Sequence, residues 1–349
     1  MLSELLLVLS GHPSSFFQPS PPDRPTTLKI APALSRHLHP GEEQSLNTLA
    51  RLAFQYTRIR DWARDIQSAG RQAILDETLR TSSNSKGKGK ALEPPDTYLA
   101  TLAGGILDIL RDYEVLIVSV ETELLNLDGG LVQDEAGFVP LSILLVRFSP
   151  WQATLSALND LVNTLSNSTT AKATTPGATA TATHTPGQLL GRLSDLTNNG
   201  NARLRDMFKY LYASVLRLFL MHLVTFLLSG IVPLVSTPTS PSIAIDNGAD
   251  PLSPQHRAYV LNTDLIPDGI SAETRESILY VGRVAATLKR EGRVLPKTIV
   301  DDLRREIMGV KELDDGLERA VHRAREEVGE WLWKNVLTGP QVVDALESL

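Results

Sequence analysis

The residue types able to do chemistry are few in this chain and stand far apart. His37 and His39 form an H-x-H pair in the stretch HLHP. Two imidazoles at that spacing could begin a metal site, but no third ligand stands at useful distance, so they read as loop histidines. His222 lies in an apolar run, where a core histidine is a simpler reading than a catalyst. Cysteine is absent, which removes disulfides, thiolate zinc sites and a thiol nucleophile. No G-x-S-x-G, P-loop, H-E-x-x-H or helix-opening G-x-G-x-x-G occurs. The KGKGK run at 86–90 fits neither a phosphate cradle nor a helix start and reads as solvated linker. Asp301-Asp302 and Asp314-Asp315 fall near expected helix starts, where they complement the helix dipole. The prediction is no catalytic, cofactor-binding or metal-binding residue, and no enzyme.

Two groups suit contact rather than catalysis. Arg58, Arg60 and Arg64 form a basic stripe on one helix, either a contact surface or a solvated face. Trp331 and Trp333 in EWLWK point roughly 200° apart around a helix. At least one belongs at the margin of the core, as an anchor for another chain or as edge packing.

The elements that must position these residues are helical. Leu2, Leu5, Leu6 and Leu9 line one face of a short opening helix that Gly11 and Pro13 stop. It has no basic n-region and too short an apolar run, so it reads as a docked helix of a cytosolic protein rather than a signal peptide. Apolar residues recur at three-four spacing through Leu46, Leu49, Ala53, Tyr56, Ile59, Ala63 and Ile66, beginning from Ser45. They recur again through Leu99, Leu102, Ile106, Ile109, Tyr113, Leu116, Val120, Leu124 and Leu127. Thirty such residues make a rod of about 45 Å. A third series runs from Leu141 to Leu165, with Pro150 expected to kink or divide it. Arg203–Ser229 is the most apolar helix and is placed at the centre. Ser271 can cap a helix Ala272–Arg290, ended by Gly292 and Pro296. A last long helix spans about 314–337. Tyr259-Val260-Leu261 reads as a short extended piece between breakers.

The chain has 349 residues and a net charge of −6, which argues against a nucleic-acid binder. Leu216–Val235 is nearly long enough to span a membrane. A helix buried in a bundle looks the same, and that reading is favoured because the neighbouring segments need a partner to pack against. The stretches 81–95, 167–186 and 236–254 are polar, Thr/Ala-rich or proline-rich, and read as mobile insertions. The predicted fold is all-α: an elongated bundle of long, roughly antiparallel helices with low-complexity loops.

Several stretches together resemble the gamma-tubulin complex component family. MLSELLLVLSGHPSS followed by HLHPGEEQSLNTLARLAFQYTRI is similar to its N-terminus, through Ser10-Gly11-His12-Pro13, His39-Pro40, Leu46, Leu49, Leu52 and Tyr56. TYLATLAGGILDILRDYEVLIVSVETELL is similar to its long helix. Leu265, Ile266, Pro267, Ile278, Leu279 and Gly282 carry its Leu-Pro and Ile-Leu-x-x-Gly pattern, and EWLWKNVL looks like a helix near the end of its N-terminal GRIP domain. LLSGIVPLVSTPTSP departs from the family, which places Asp and Glu-Phe-Phe there.

The resemblance implies that residues 1–349 form an N-terminal GRIP-type helical domain without the C-terminal domain that binds gamma-tubulin. It implies a scaffold at microtubule-organising centres or spindle poles, laterally contacting other gamma-tubulin complex components and templating microtubule nucleation, with a small adaptor protein as a further partner. No cofactor, nucleic acid or membrane is expected. Leu5 and Leu9 join the arginine stripe and the two tryptophans as candidate contact residues. A helical tether unrelated to microtubules is the alternative.

Overall fold

The computed structural model describes residues 2–21, 26–82, 97–126, 139–172, 185–230, 244–246, 259–261, 266–267, 269–290, 292–293, 295–313 and 315–337. The protein is all-α, with two short β-ribbons, and its helices gather into two compact units.

The first unit holds α1 (Leu2–Leu9), a ribbon of β1 (Phe17–Ser20) and β2 (Thr27–Ile30), the single turn α2 (Pro32–Ser35) and α3 (Pro40–Ser82). It also holds α4 (Thr97–Leu125) from Leu102 onward, α5 (Leu141–Lys172) and the first turn of α7 (Ala202–Ser229). The antiparallel ribbon, with Phe17 opposite Ile30, was not expected from the sequence. It lies along α3, where Asn47 Oδ1 accepts the Ile30 N–H at 3.0 Å.

The start of α3 explains the His-Pro-x-Glu motif. The His39 N–H donates to Glu42 Oε2 at 3.2 Å, and the Gly41 N–H donates to His39 Nδ1 at 3.2 Å. The first is the back-bond of a capping box and the second a side-chain cap on the second helical N–H, with Pro40 at the first helical position where no N–H is needed. The H-x-H pair is thus resolved: His39 is a cap and His37 is exposed.

Buried Tyr56, Tyr113, Phe148 and Trp151 centre this core, with Tyr113 4.9 Å from Tyr56 and 5.3 Å from Trp151 between ring centres. The Arg203 guanidinium lies 4.9 Å over Trp151. Pro150 does not divide α5, which continues through it on its exposed side. Proline cannot bond the carbonyl one turn back. That carbonyl, on Val146, instead accepts the Ser149 hydroxyl at 2.9 Å.

The second unit contains the first residues of α4, α6 (Pro186–Thr197), α7 from Phe208, and a ribbon of β3 (Ala244–Asp246) with β4 (Tyr259–Leu261). After these come α8 (Ala272–Arg290), α9 (Lys297–Met308) and α10 (Asp315–Leu332), which runs into a π-helical turn at Trp333–Leu337. Ser271 caps α8 as expected, its Oγ accepting the Thr274 N–H at 3.3 Å. α7 supplies the core through Phe208, Leu211, Val215, Phe219, Leu223, Phe226 and Leu227. It is long and apolar enough to cross a membrane, but 61% of its most apolar window is buried against protein. It is not wholly buried, since Arg217 and Met221 are exposed. Tyr98 Oη and His222 Nδ1 meet at 2.8 Å in the interior, so His222 is a satisfied core histidine. Gly282 lets α8 sit directly against the Phe226 ring, and Gly230, at φ 61°, ends α7 against the Ala286 backbone.

Three expectations need adjustment. α3 extends to Ser82 and α5 to Lys172, Pro186 opens α6, and β3 falls inside the 236–254 stretch, pairing with the extended piece expected at Tyr259–Leu261. Thr185 caps α6, its Oγ1 accepting the Gln188 N–H, and the remainder of the three expected insertions lies outside the described residues. Asp301 and Asp302 sit in the body of α9 rather than in its first turn, and Asp302 pairs with Arg305 at 3.1 Å. Asp315 does lie in the first turn of α10.

Candidate interaction surface

The first unit carries an open groove of about 770 Å³ walled by α1, α3 and α4. α1 is anchored at its C-terminal end. A short helix leaves its last carbonyls without partners, and a cation there also answers the helix dipole. The carbonyls of Leu6, Leu7 and Val8 accept the N–H groups of Ser10, His12 and Gly11, and Arg60 of α3 holds the turn that follows: its Nη1 donates to the Ser10 carbonyl at 3.1 Å and its Nη2 to the Gly11 carbonyl at 3.4 Å. The same guanidinium lies 5.3 Å over the Tyr56 ring and pairs with Asp61 at 3.1 Å. Gly11, at φ 83°, supplies the turn that brings its carbonyl to Arg60.

Behind Arg60, the Tyr56 hydroxyl donates to Glu114 Oε1 of α4 at 2.6 Å. Burial, reinforced by the Glu114 carboxylate, pushes the Tyr56 hydroxyl up to about 12, so it stays a donor at any physiological pH. Burial likewise pushes the Tyr113 hydroxyl up.

The groove opens onto apolar side chains that water reaches. Leu7, Val118 and Leu125 line it, and Leu125 is 79% exposed. Val115, one turn before Val118 on α4, is 62% exposed, and Val146 on α5 is 70% exposed. Glu123 of α4 holds Arg147 of α5 at 2.9 Å. Most of the large exposed apolar residues among those described belong to this unit. Exposed apolar side chains beside charged ones are the kind of surface on which a partner can dock. No group of three or more His, Asp or Glu able to hold a metal occurs among the described residues.

The candidate contact residues divide. Leu5 and Leu9 are 1% and 0% exposed, so they hold α1 in the core while Leu7 faces outward. Arg60 turns inward as the α1 anchor, whereas Arg58 and Arg64 are exposed, and Arg64 reaches the groove. Trp331 is half-buried and Trp333 is 62% exposed, on the π-helical turn of the second unit. The structure therefore brings Arg60, Arg64 and α1 together and leaves the tryptophans in the other unit. The exposed face of α4 was missed, although Val115, Val118 and Leu125 at 3.5-residue spacing were its available signal.

These features belong to an all-α protein. Residues 2–338 match the family described as gamma tubulin complex component N-terminal. The chain belongs to the gamma-tubulin complex component family, whose members are structural parts of a complex rather than enzymes. No curated protein matches the chain.

Proposed function

We propose that the chain is a lateral scaffold subunit of the gamma-tubulin complex, of the component 4 kind and of fungal type in its low-complexity insertions. In this role its helical N-terminal domain stands beside neighbouring components and fixes their spacing, so that the assembled complex templates microtubule nucleation at the microtubule-organising centre. Gamma-tubulin is held through the C-terminal domain expected of the family, and a small adaptor is a further partner. The mechanism is geometric and requires no bond to be made or broken.

The family match across residues 2–338 carries this reading. The packed helices supply a stiff frame, and the exposed apolar face beside Arg64 supplies an adhesive surface. Arg58, Arg64 and Trp333 remain the accessible members of the candidate contact set.

The test is co-expression of the chain with other gamma-tubulin complex components, and separately with gamma-tubulin, followed by pull-down. Capture of a neighbouring component without gamma-tubulin supports the lateral scaffold. Capture of gamma-tubulin alone would overturn the assignment of domains, and capture of neither by the folded chain would overturn the scaffold reading.

A further inference from the structure

The turn between α6 and α7 reads Asn198-Asn199-Gly200-Asn201. Asn198 ends α6, its N–H donating to the Asp195 carbonyl at 3.2 Å. Asn201 starts α7: its Oδ1 accepts the Arg203 N–H at 3.1 Å, and its carbonyl accepts the Arg205 N–H at 2.9 Å. Between them, Asn199 Oδ1 accepts the Asn201 N–H, also at 3.1 Å. That bond, an Asx turn, holds the side-chain amide of Asn199 forward along the Gly200 peptide.

Gly200 is exposed, and nothing lies within 4 Å of the place a Cβ would occupy. Its N–H has no acceptor among the described residues. A backbone nitrogen that is wet, unhindered and unbonded is available as a nucleophile, and the amide carbon of Asn199 is the electrophile beside it. The missing Cβ leaves the backbone free to turn into the attack. The Asn201 N–H already sits on the oxygen that gains charge as that carbon is attacked, where a donor stabilises the step.

We propose that Asn199-Gly200 is a site of spontaneous covalent modification, a slow clock at the entrance to α7. The Gly200 nitrogen gives its proton to hydroxide and attacks Cγ of Asn199. The new N–Cγ bond closes a succinimide ring, the bond from Cγ to the side-chain nitrogen breaks, and ammonia leaves with a proton from water. Water then opens the ring. Cleavage of the new N–Cγ bond leaves an ordinary aspartyl at 199, and cleavage of the original peptide bond leaves an isoaspartyl.

The two products act differently on the turn. The aspartyl keeps an oxygen for the Asn201 N–H and adds negative charge ahead of α7, where the helix dipole favours it. The isoaspartyl carries the chain through Cγ, adds a carbon to the turn and withdraws the group that fixes the cap residue Asn201. The second Asn-Gly pair of the sequence, Asn247-Gly248, lies outside the described residues. The inference is independent of the scaffold reading.

The full folded chain is aged in buffers from mildly acid to mildly alkaline and then cleaved with trypsin. Mass spectrometry of peptide 193–203 follows the exchange of NH for O, and synthetic peptides identify the isoaspartyl and aspartyl forms by retention. The expected result is conversion of Asn199 that quickens with pH and gives more isoaspartyl than aspartyl, while Asn198 and Asn201 remain amides. Gly200→Ala adds a methyl into open space, at a backbone outside the left-handed region, so its helicity should be unchanged. Its conversion should be slower by roughly tenfold, because the Cβ crowds and confines the attacking peptide. An Asn199 that converts only once the chain is unfolded in urea, a product that is aspartyl alone, or a Gly200→Ala chain that reacts at the native rate would overturn the inference.

Discussion

Gly282→Ala gives the sharpest test of how the second unit is packed. Gly282 lies inside α8, where alanine is ordinarily the better helix former by about 1 kcal/mol. Helix propensity alone thus predicts a gain. A Cβ at this position would, however, fall inside the van der Waals envelope of the Phe226 ring. Phe226 is 0% exposed, so its ring can turn away only by displacing other core side chains. Overpacking of a dense core costs about 1–3 kcal/mol, and this clash with a confined ring belongs at the upper end. Subtracting the propensity gain leaves a net loss of about 2 kcal/mol.

Urea unfolding followed by circular dichroism measures the change. Gly191→Ala in α6 is the internal control, because nothing lies within 4 Å of its added Cβ. That substitution should stabilise by about 0.5–1 kcal/mol. In a Phe226→Leu background, Gly282→Ala should cost much less, since the ring it strikes is gone. A stabilising Gly282→Ala, with the same sign as Gly191→Ala, would refute the close approach of α7 and α8.

Three further outcomes follow from individual contacts. Arg60→Ala removes the anchor from the end of α1; a loss of about 1–2 kcal/mol and faster amide exchange in Leu5–Leu9 are expected, while Arg58→Ala at its exposed site should change neither. Pro150→Ala restores a backbone donor inside α5 and should stabilise by about 1 kcal/mol or more in thermal unfolding, because proline is so poor an interior residue. Burial lowers the proton affinity of His222, so the folded protein binds that proton less well than the unfolded chain. Its contribution is complete above the unfolded value near 6.5 and is lost as pH falls below it, and His222→Gln should flatten urea-midpoint profiles in that acidic range.

The long helices were legible because their apolar repeats are strong. α3, α8 and α10 each show one wet face and one dry face in sequence, and the core falls where the repeat puts it: Leu46, Leu49, Ala53, Tyr56 and Ile59 are all buried. α4 was legible as a helix but not in its rotation. The sequence pointed to Ile109 and Leu116, whereas Leu110 and Ile117 are the fully buried residues. Apolar residues surround α4 on nearly every side around Val115–Val120, so periodicity cannot choose which stripe faces inward. The same ambiguity hid the exposed face of Val115, Val118 and Leu125. α6 and α9 have only 12 residues each, and their brief repeats give weak periodic signals.

Local chemistry along the chain determined where helices start, which positions favour caps and where glycine ends them. Ser271 and the His39–Glu42 box act between neighbours in sequence, and such contacts are encoded within a single turn. The family resemblance was also carried by sequence alone, through the order of short motifs. Tertiary structure decided everything that depends on distant residues meeting. Arg60 sits in a stripe with Arg58 and Arg64 when the helix is read alone, yet it turns away because the carbonyls at the end of α1, some fifty residues earlier, compete for its guanidinium. Likewise Leu5 and Leu9 are distinguished from Leu7 only when α3 covers one side of α1. A pattern can state that a residue is apolar or charged, but only the packed chain fixes which of those groups is already satisfied and which is left for a partner.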